Sequence, residues 1–211
     1  MVETVGQALG VFNHPVGTTL CDVPRYDSAA TRARLLTAAH DEFVEKGFAG
    51  ARVDRIATAA QANKQAIYAY FGSKEALFDA VLGQRYMVLA DAVELTPDDL
   101  PGYAGALFDE LTRDTSLQQL RMWKILERPD ALPDEVDAQR AKAQAIAEAY
   151  GVDVEVAMDA LILVLGVVQA WNLTPPAIRD GGEPDDTARR ARHRQAVVAA
   201  VAGVTAALLN A

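Results

Sequence analysis

The chain has 211 residues, of which 51% are hydrophobic and 23% charged, and carries a net charge of −9; this composition allows one or two cored domains and excludes a mainly disordered chain. A single cysteine, Cys21, excludes an internal disulfide or a cysteine-built zinc site and suits a reducing cytoplasm. The charge is uneven: residues 28–82 hold seven Lys and Arg against six Asp and Glu, and residues 83–211 hold twelve against twenty, so the acidity that would repel phosphates lies outside the first of these segments.

Met1 to Gly10 lacks the basic and apolar regions of a secretory signal. The apolar stretches Ala160–Val168 and Ala196–Leu209 are shorter than the roughly 20 residues of a bilayer span, so a soluble cytoplasmic protein with no membrane partner is expected. Residues 1–27, with Gly6, Gly10, Pro15, Gly17 and Pro24, read as an arm in which Arg25 is the one basic residue.

From Ser28, a suitable N-cap, apolar residues recur at Leu35, Leu36, Ala39, Phe43 and Val44 with helical spacing, and Gly47 is placed to end this first helix. A short second helix from about Arg52 puts Val53, Ile56, Ala57 and Ala60 on one face and breaks at Gln61-Ala62-Asn63. Asn63 caps a third helix, Lys64 to Phe71, with Ile67 and Phe71 turned inward. Gly72 ends that helix, and Ser73 caps a fourth with the stripe Leu77, Phe78, Val81 and Leu82, continuing to about Leu95. Two short helices joined by a tight turn can set the second into a major groove, where exposed Lys64, Gln65, Tyr68 and Ala69 would meet base edges and phosphates. Gln65 has the amide that suits adenine, and Lys64 suits guanine or a phosphate. Lys74 at the start of the fourth helix adds its charge to free backbone amides, an arrangement suited to a phosphate, and Arg52 offers a similar clamp at the start of the second.

Further helices are predicted over residues 98–113, 116–127, 134–150, 153–173 and 185–209, separated by Pro129, Pro133, Gly151 and Pro175-Pro176, with no convincing strand and no repeat. The predicted fold is all-α: an arm (1–27), a three-helix helix-turn-helix domain (28–82) and a larger helical domain (83–211). Bulky apolar residues with a polar neighbour, namely Phe108, Leu111, Met122, Trp123, Leu126, Met158, Ile162, Leu165 and Gln169, suit either the core of the larger domain or a ligand pocket within it. Gln119 and Asn172 are further polar anchors. The segment Val152–Leu173 is apolar on nearly every side, and Ala199, Ala200, Ala202, Gly203 and Ala206 allow close helix approach, so the last two long helices are candidates for self-association. His14, His40 and His193 fall in separate segments without a nucleophile or carboxylate at motif spacing; neither an enzyme, nor a metal site, nor a cofactor is expected.

The set Ala38-Ala39, Phe43, Gly47-Phe48, Ile56-Ala57, Ala60, Ile67-Tyr68, Tyr70-Phe71 and Ser73-Lys74-Glu75-Ala76-Leu77 resembles the DNA-binding domain of the tetracycline-repressor (TetR) family of bacterial regulators. The family commonly has glycine and valine where this chain has Gln61 and Ala62, and Ser or Thr where it has Arg52. The resemblance implies phosphate contacts by Tyr68 and Lys74 and a homodimer paired through its last two helices; Asn63 and Tyr70 are counted as further DNA-binding candidates, although packing alone could explain Tyr70. It also implies a double-stranded, near-palindromic DNA operator and a small-molecule effector, here hydrophobic or amphipathic, that releases a repressor. It does not separate a repressor from an activator.

Overall fold

A computed structural model describes residues 28–131, 133–179 and 187–210; the arm and its Arg25 lie outside them. Among the described residues there are ten helices and no strand. The N-terminal part comprises α1 (Ser28–Gly50), α2 (Val53–Ala59), α3 (Lys64–Phe71) and the start of α4 (Lys74–Ala92). The larger part comprises α5 (Leu100–Arg113), α6 (Ser116–Glu127), α7 (Pro133–Tyr150), α8 (Val154–Leu173), the single turn α9 (Pro176–Arg179) and α10 (Thr187–Leu208). Helix α4 is continuous through residue 82 and ends at an extended Val93, short of Leu95. Pro175-Pro176, read from the sequence as a separator, opens α9 instead, since proline is favourable in a first helical turn.

Leu35, Ala39 and Phe43 of α1 are fully buried against Ile56, Ile67, Leu77 and Phe78. The Phe43 ring meets Phe78 edge-on at 5.0 Å and stacks on Phe48 at 6.3 Å. The regular part of α1 breaks at Gly47, where the sequence places its end: the dihedrals there (φ 70, ψ 177) are non-helical, and a short helical stretch follows to Gly50. Two constraints call for glycine there: the positive φ, and the Trp123 ring, which lies 3.0 Å from where a Cβ would stand.

The turn between α2 and α3 is held by Gln61 at φ 52, a non-glycine in the left-handed region. Gln61→Gly is expected to raise stability by about 0.5 to 1 kcal/mol, because relief of that strain outweighs the added freedom of the unfolded chain. A thermal melt checks it, and a lowered midpoint would show that the Gln61 side chain makes a stabilising contact.

Helix α6 packs on α1 and α4, closing a seam between the two parts. Arg128 forks onto Asp79 at 2.6 and 3.2 Å and lies 5.3 Å from the Phe48 ring centre, while the Ala49 amide donates to Glu127 Oε2 at 2.5 Å. Beyond the seam, α8 packs on α5, α7 and α10 through Ala157, Ala160, Leu161, Val164, Val168 and Trp171. At 20 residues, α8 is longer than the apolar stretch read from the sequence, and it is long and apolar enough to cross a membrane by length and composition.

Candidate nucleic-acid interface

Helix α3 is fixed at both ends by its own sequence. Asn63, extended at φ −93 and ψ 159, accepts the Ala66 amide at 2.8 Å, and Gly72 (φ 80) ends the helix while its amide donates to the Tyr68 carbonyl. Arg34 of α1 braces the preceding turn through the Ala60 carbonyl at 3.1 Å. Buried Ala66 and Ile67 seat the helix on its neighbours, which leaves Lys64, Gln65, Tyr68 and Ala69 exposed on the outer face. The helix thereby presents a lysine, an amide and a phenol from a rigid support, the donor and acceptor types that read groove edges and phosphates.

The remaining candidates are placed differently. Arg52 is exposed at the N-cap position of α2 without a side-chain cap bond, and its backbone amide donates to Glu42 Oε1 at 2.9 Å. Lys74 opens α4 beside the Ser73 cap, half-buried, with its ammonium 4.7 Å from the Phe48 ring centre. Asn63 commits its side-chain oxygen to the helix cap, and Tyr70 is half-buried with its ring 6.3 Å from Phe71. The Lys64 ammonium sits 3.0 Å from Asp54, whose hydrogen bond raises the lysine above its usual range. Any DNA contact by Lys64 therefore exchanges one anion for another.

A second electrostatic clamp positions α2. Arg55 Nε donates to Glu42 Oε1 at 2.8 Å, and this bond, with the Arg52 amide behind it, holds the Glu42 carboxyl below its usual range against the opposing effect of burial. With a depressed folded-state pKa, the stabilisation is present above the ordinary carboxylate range and is lost as pH falls through the lowered value. No cluster of three or more His, Cys, Asp or Glu placed to hold a metal occurs among the described residues.

The candidate ligand residues of the larger part do not form one lining. Phe108 and Leu111 are buried on α5, and the Phe108 ring lies 6.1 Å from Trp171 and 5.6 Å from His193. Met158, Leu165 and Gln169 are half-buried along one edge of α8. Trp123 faces Gly47 in the seam, Met122 is half-buried, and Leu126 (67%) and Ile162 (58%) are exposed. The physical reason is that α6 spends its tryptophan face on α1, so its apolar residues do not all face the domain centre. Gln119 is exposed, while Asn172 donates to the Leu111 carbonyl at 2.8 Å. A shallow surface cleft, open to solvent, is lined by Arg85, Val88, Leu89, Glu110, Leu111, Asp114 and Leu117.

Residues that sequence periodicity passed over stand near the Gln169 edge. Arg121 Nη1 donates to Gln169 Oε1 at 2.6 Å, and its guanidinium lies near Tyr86, whose phenol burial pushes up. Lys124, 8% exposed, bridges to Glu135 at 2.6 Å and donates to the Asp130 carbonyl at 2.9 Å. On α7, Glu135, Gln139, Lys142 and Ile146 recur at helical spacing, and Ile146 is fully buried. Polar residues on a stripe that ends in a buried isoleucine are the signal in the sequence that could have marked them.

The helix-turn-helix, joined by α4 to a helical domain, defines a DNA-binding regulator architecture. Comparison with known proteins gives the family. Residues 35–81 match the family described as bacterial regulatory proteins, tetR family, and residues 99–202 match the tetracyclin repressor-like, C-terminal domain. The chain is 38% identical over 160 residues to the HTH-type transcriptional repressor SCO4008 of Streptomyces coelicolor, covering 72% of this chain and 83% of that one. Over 56 residues, 26% of each chain, it is 48% identical to the HTH-type transcriptional repressor NicS of Pseudomonas putida. The crystal structure of the transcriptional regulator SCO4942 from Streptomyces coelicolor superposes with a TM-score of 0.67 at 37% identity, covering 79% of this chain and 96% of that one. The chain belongs to the TetR family; it is a DNA-binding transcriptional regulator and not an enzyme.

Proposed function

We propose that the protein is a cytoplasmic, homodimeric repressor that binds a near-palindromic operator through two copies of α3 and is released by a small hydrophobic or amphipathic effector. The observation that carries this reading is the exposed face of Lys64, Gln65, Tyr68 and Ala69 on a helix capped by Asn63 and anchored by Ile67. The names of the two curated repressors support the repressing sense.

Dimerisation places the recognition helices about 34–36 Å apart, one turn of the duplex. The surface for it is the outer face of α8 and α10, where Ile162, Leu163 and Leu173 are 58%, 47% and 53% exposed and Ala199, Ala200, Ala202, Gly203 and Ala206 are exposed beside them. A Cβ at Gly166 or Gly203 would meet nothing within 4 Å, so both helices are open to a partner there. Tyr68 and Lys74 hold phosphates, with Arg52 as a further clamp, and Gln65 reads a base. An effector that prefers the form with badly spaced reading heads weakens DNA binding by linkage.

Tyr68→Phe and Lys74→Ala are each expected to weaken binding to operator and scrambled DNA alike, with Lys74→Ala also reducing the salt slope by about one. Gln65→Ala is expected to relax base preference at one position of each half-site, a change of about 1–3 kcal/mol in discrimination. Titrations of labelled operator and single-base variants at two salt concentrations separate the cases. A uniform loss for Gln65→Ala would place it on the backbone, and unchanged binding in both other variants would remove the phosphate assignment.

A further inference from the structure

In and around the larger part, several buried or partly buried charges are matched. Lys124 pairs with Glu135, Arg128 with Asp79, Arg85 with Asp114 and Arg194 with Asp109. Two half-buried cations stand apart from this pattern. Arg121 hydrogen-bonds a neutral group, Gln169, beside the Tyr86 phenol, and Lys142 has no ion-pair partner among the described residues. Burial alone holds the Lys142 ammonium below the usual lysine range. In a segment with twelve Lys and Arg against twenty Asp and Glu, carboxylates to neutralise them are plentiful, yet none bonds either of them among the described residues, and Glu135, whose charge reaches Tyr86, is committed to Lys124. A cation taken out of water without an anion is costly, so such a pair marks a place where an anion arrives from outside.

The surroundings fit that reading. Helices α6 and α7 pack on different partners, α6 on α1 and α4, α7 on α8, and they are bridged at one end by Lys124 and Glu135. Leading away from that bridge, α6 carries Arg121 and then Gln118, and α7 carries Gln139 and then Lys142, each pair three residues apart and so on a shared face. Gln118 is only 6% exposed, and its Oε1, like that of Gln139, is buried without a hydrogen-bond partner. Orphaned side-chain amides inside a domain are expensive unless a ligand completes them. Turned over about its last torsion, each amide offers NH2 groups to an oxyanion from the same place.

Building on the effector reading above, we infer that the space bordered by α4, α6, α7 and α8 takes an effector with an anionic head group, a carboxylate on an apolar body, held by Arg121 and Lys142. Gln118, Gln139 and Tyr86 supply the remaining hydrogen bonds, and the Met158–Leu165 edge of α8 meets the apolar body. A charged head seated between α6 and α4 lies next to the seam that carries the reading head.

The test uses the full-length protein and chain-matched amphiphiles: octanoate, dodecanoate and 2-naphthoate, the corresponding alcohols, and octyl- and dodecyltrimethylammonium. Binding is read by calorimetry without DNA, and release by the anisotropy of a labelled operator. At least one carboxylate is expected to bind about tenfold or more tightly than its alcohol and to release the operator, while the ammonium compounds do neither. In Arg121→Met and Lys142→Met that advantage falls about tenfold, the loss falling on the carboxylate and not on the alcohol, and Lys142→Met melts no earlier than the parent. Binding by alcohols or cations equal to that of every carboxylate, or an advantage intact in both variants, overturns the anionic assignment. A lowered melting midpoint for Lys142→Met would overturn it as well, by giving Lys142 a structural role. Operator binding by the ligand-free protein tests the regulator reading separately, so failure of one is distinguishable from failure of the other.

Discussion

Ile162→Asp combined with Leu163→Asp is expected to leave a folded monomer whose operator affinity is lower by a factor on the order of 10³, most of the margin between specific and non-specific binding. Both side chains are exposed in the protomer, 58% and 47%, so their replacement removes little from its own core. In the dimer they would be buried, and two carboxylates per subunit facing their symmetry mates would have to be desolvated without partners. A single reading head then keeps one half-site and loses the other. Light scattering after size exclusion gives the mass, and operator titration gives the affinity. A dimer that persists with unchanged affinity would move the subunit interface away from α8 and α10.

Phe43→Ala is expected to cost about 3–5 kcal/mol, a large part of the 5–15 kcal/mol that holds a typical domain. Phe43 is fully buried and joins Phe48 and Phe78 in the aromatic cluster on which Lys74 and Arg128 stack. The cavity would open beneath the N-terminus of α4 and beside the seam, so DNA binding should fail at temperatures where the C-terminal helices persist. Urea unfolding followed by circular dichroism measures the loss. A change below about 1 kcal/mol would mean that the cluster rearranges to fill the space.

The reading head was legible because its signals are local. Asn63, Gly72 and Ser73 mark helix ends by their own hydrogen-bonding and dihedral preferences, and all three act as expected. Gln61 shows the limit of that logic: its left-handed φ is imposed by the turn on a residue with no preference for it. The break at Gly47 was legible from the glycine, but its neighbour was not, because Trp123, which meets it, is 76 residues away in sequence.

The larger part was legible as helices but not as a lining. Apolar periodicity says which side of a helix is dry and not what it faces, so Trp123 of the seam, exposed Leu126 and exposed Ile162 were grouped with buried Phe108. Nothing in the sequence singled out Arg121 and Lys142, because their burial depends on how neighbouring helices close around them. The polar interior is a property of packing, and only its spacing is visible in one helix at a time.

The central claim is sequence-selective DNA binding by α3, and the most direct test is fluorescence anisotropy with DNA from immediately upstream of the protein's own gene against scrambled DNA of equal length, at two salt concentrations. Binding to the upstream DNA tighter by about 10³ or more, with the margin kept as salt rises, is the predicted result. Equal, weak binding to both, collapsing together with salt, would contradict it.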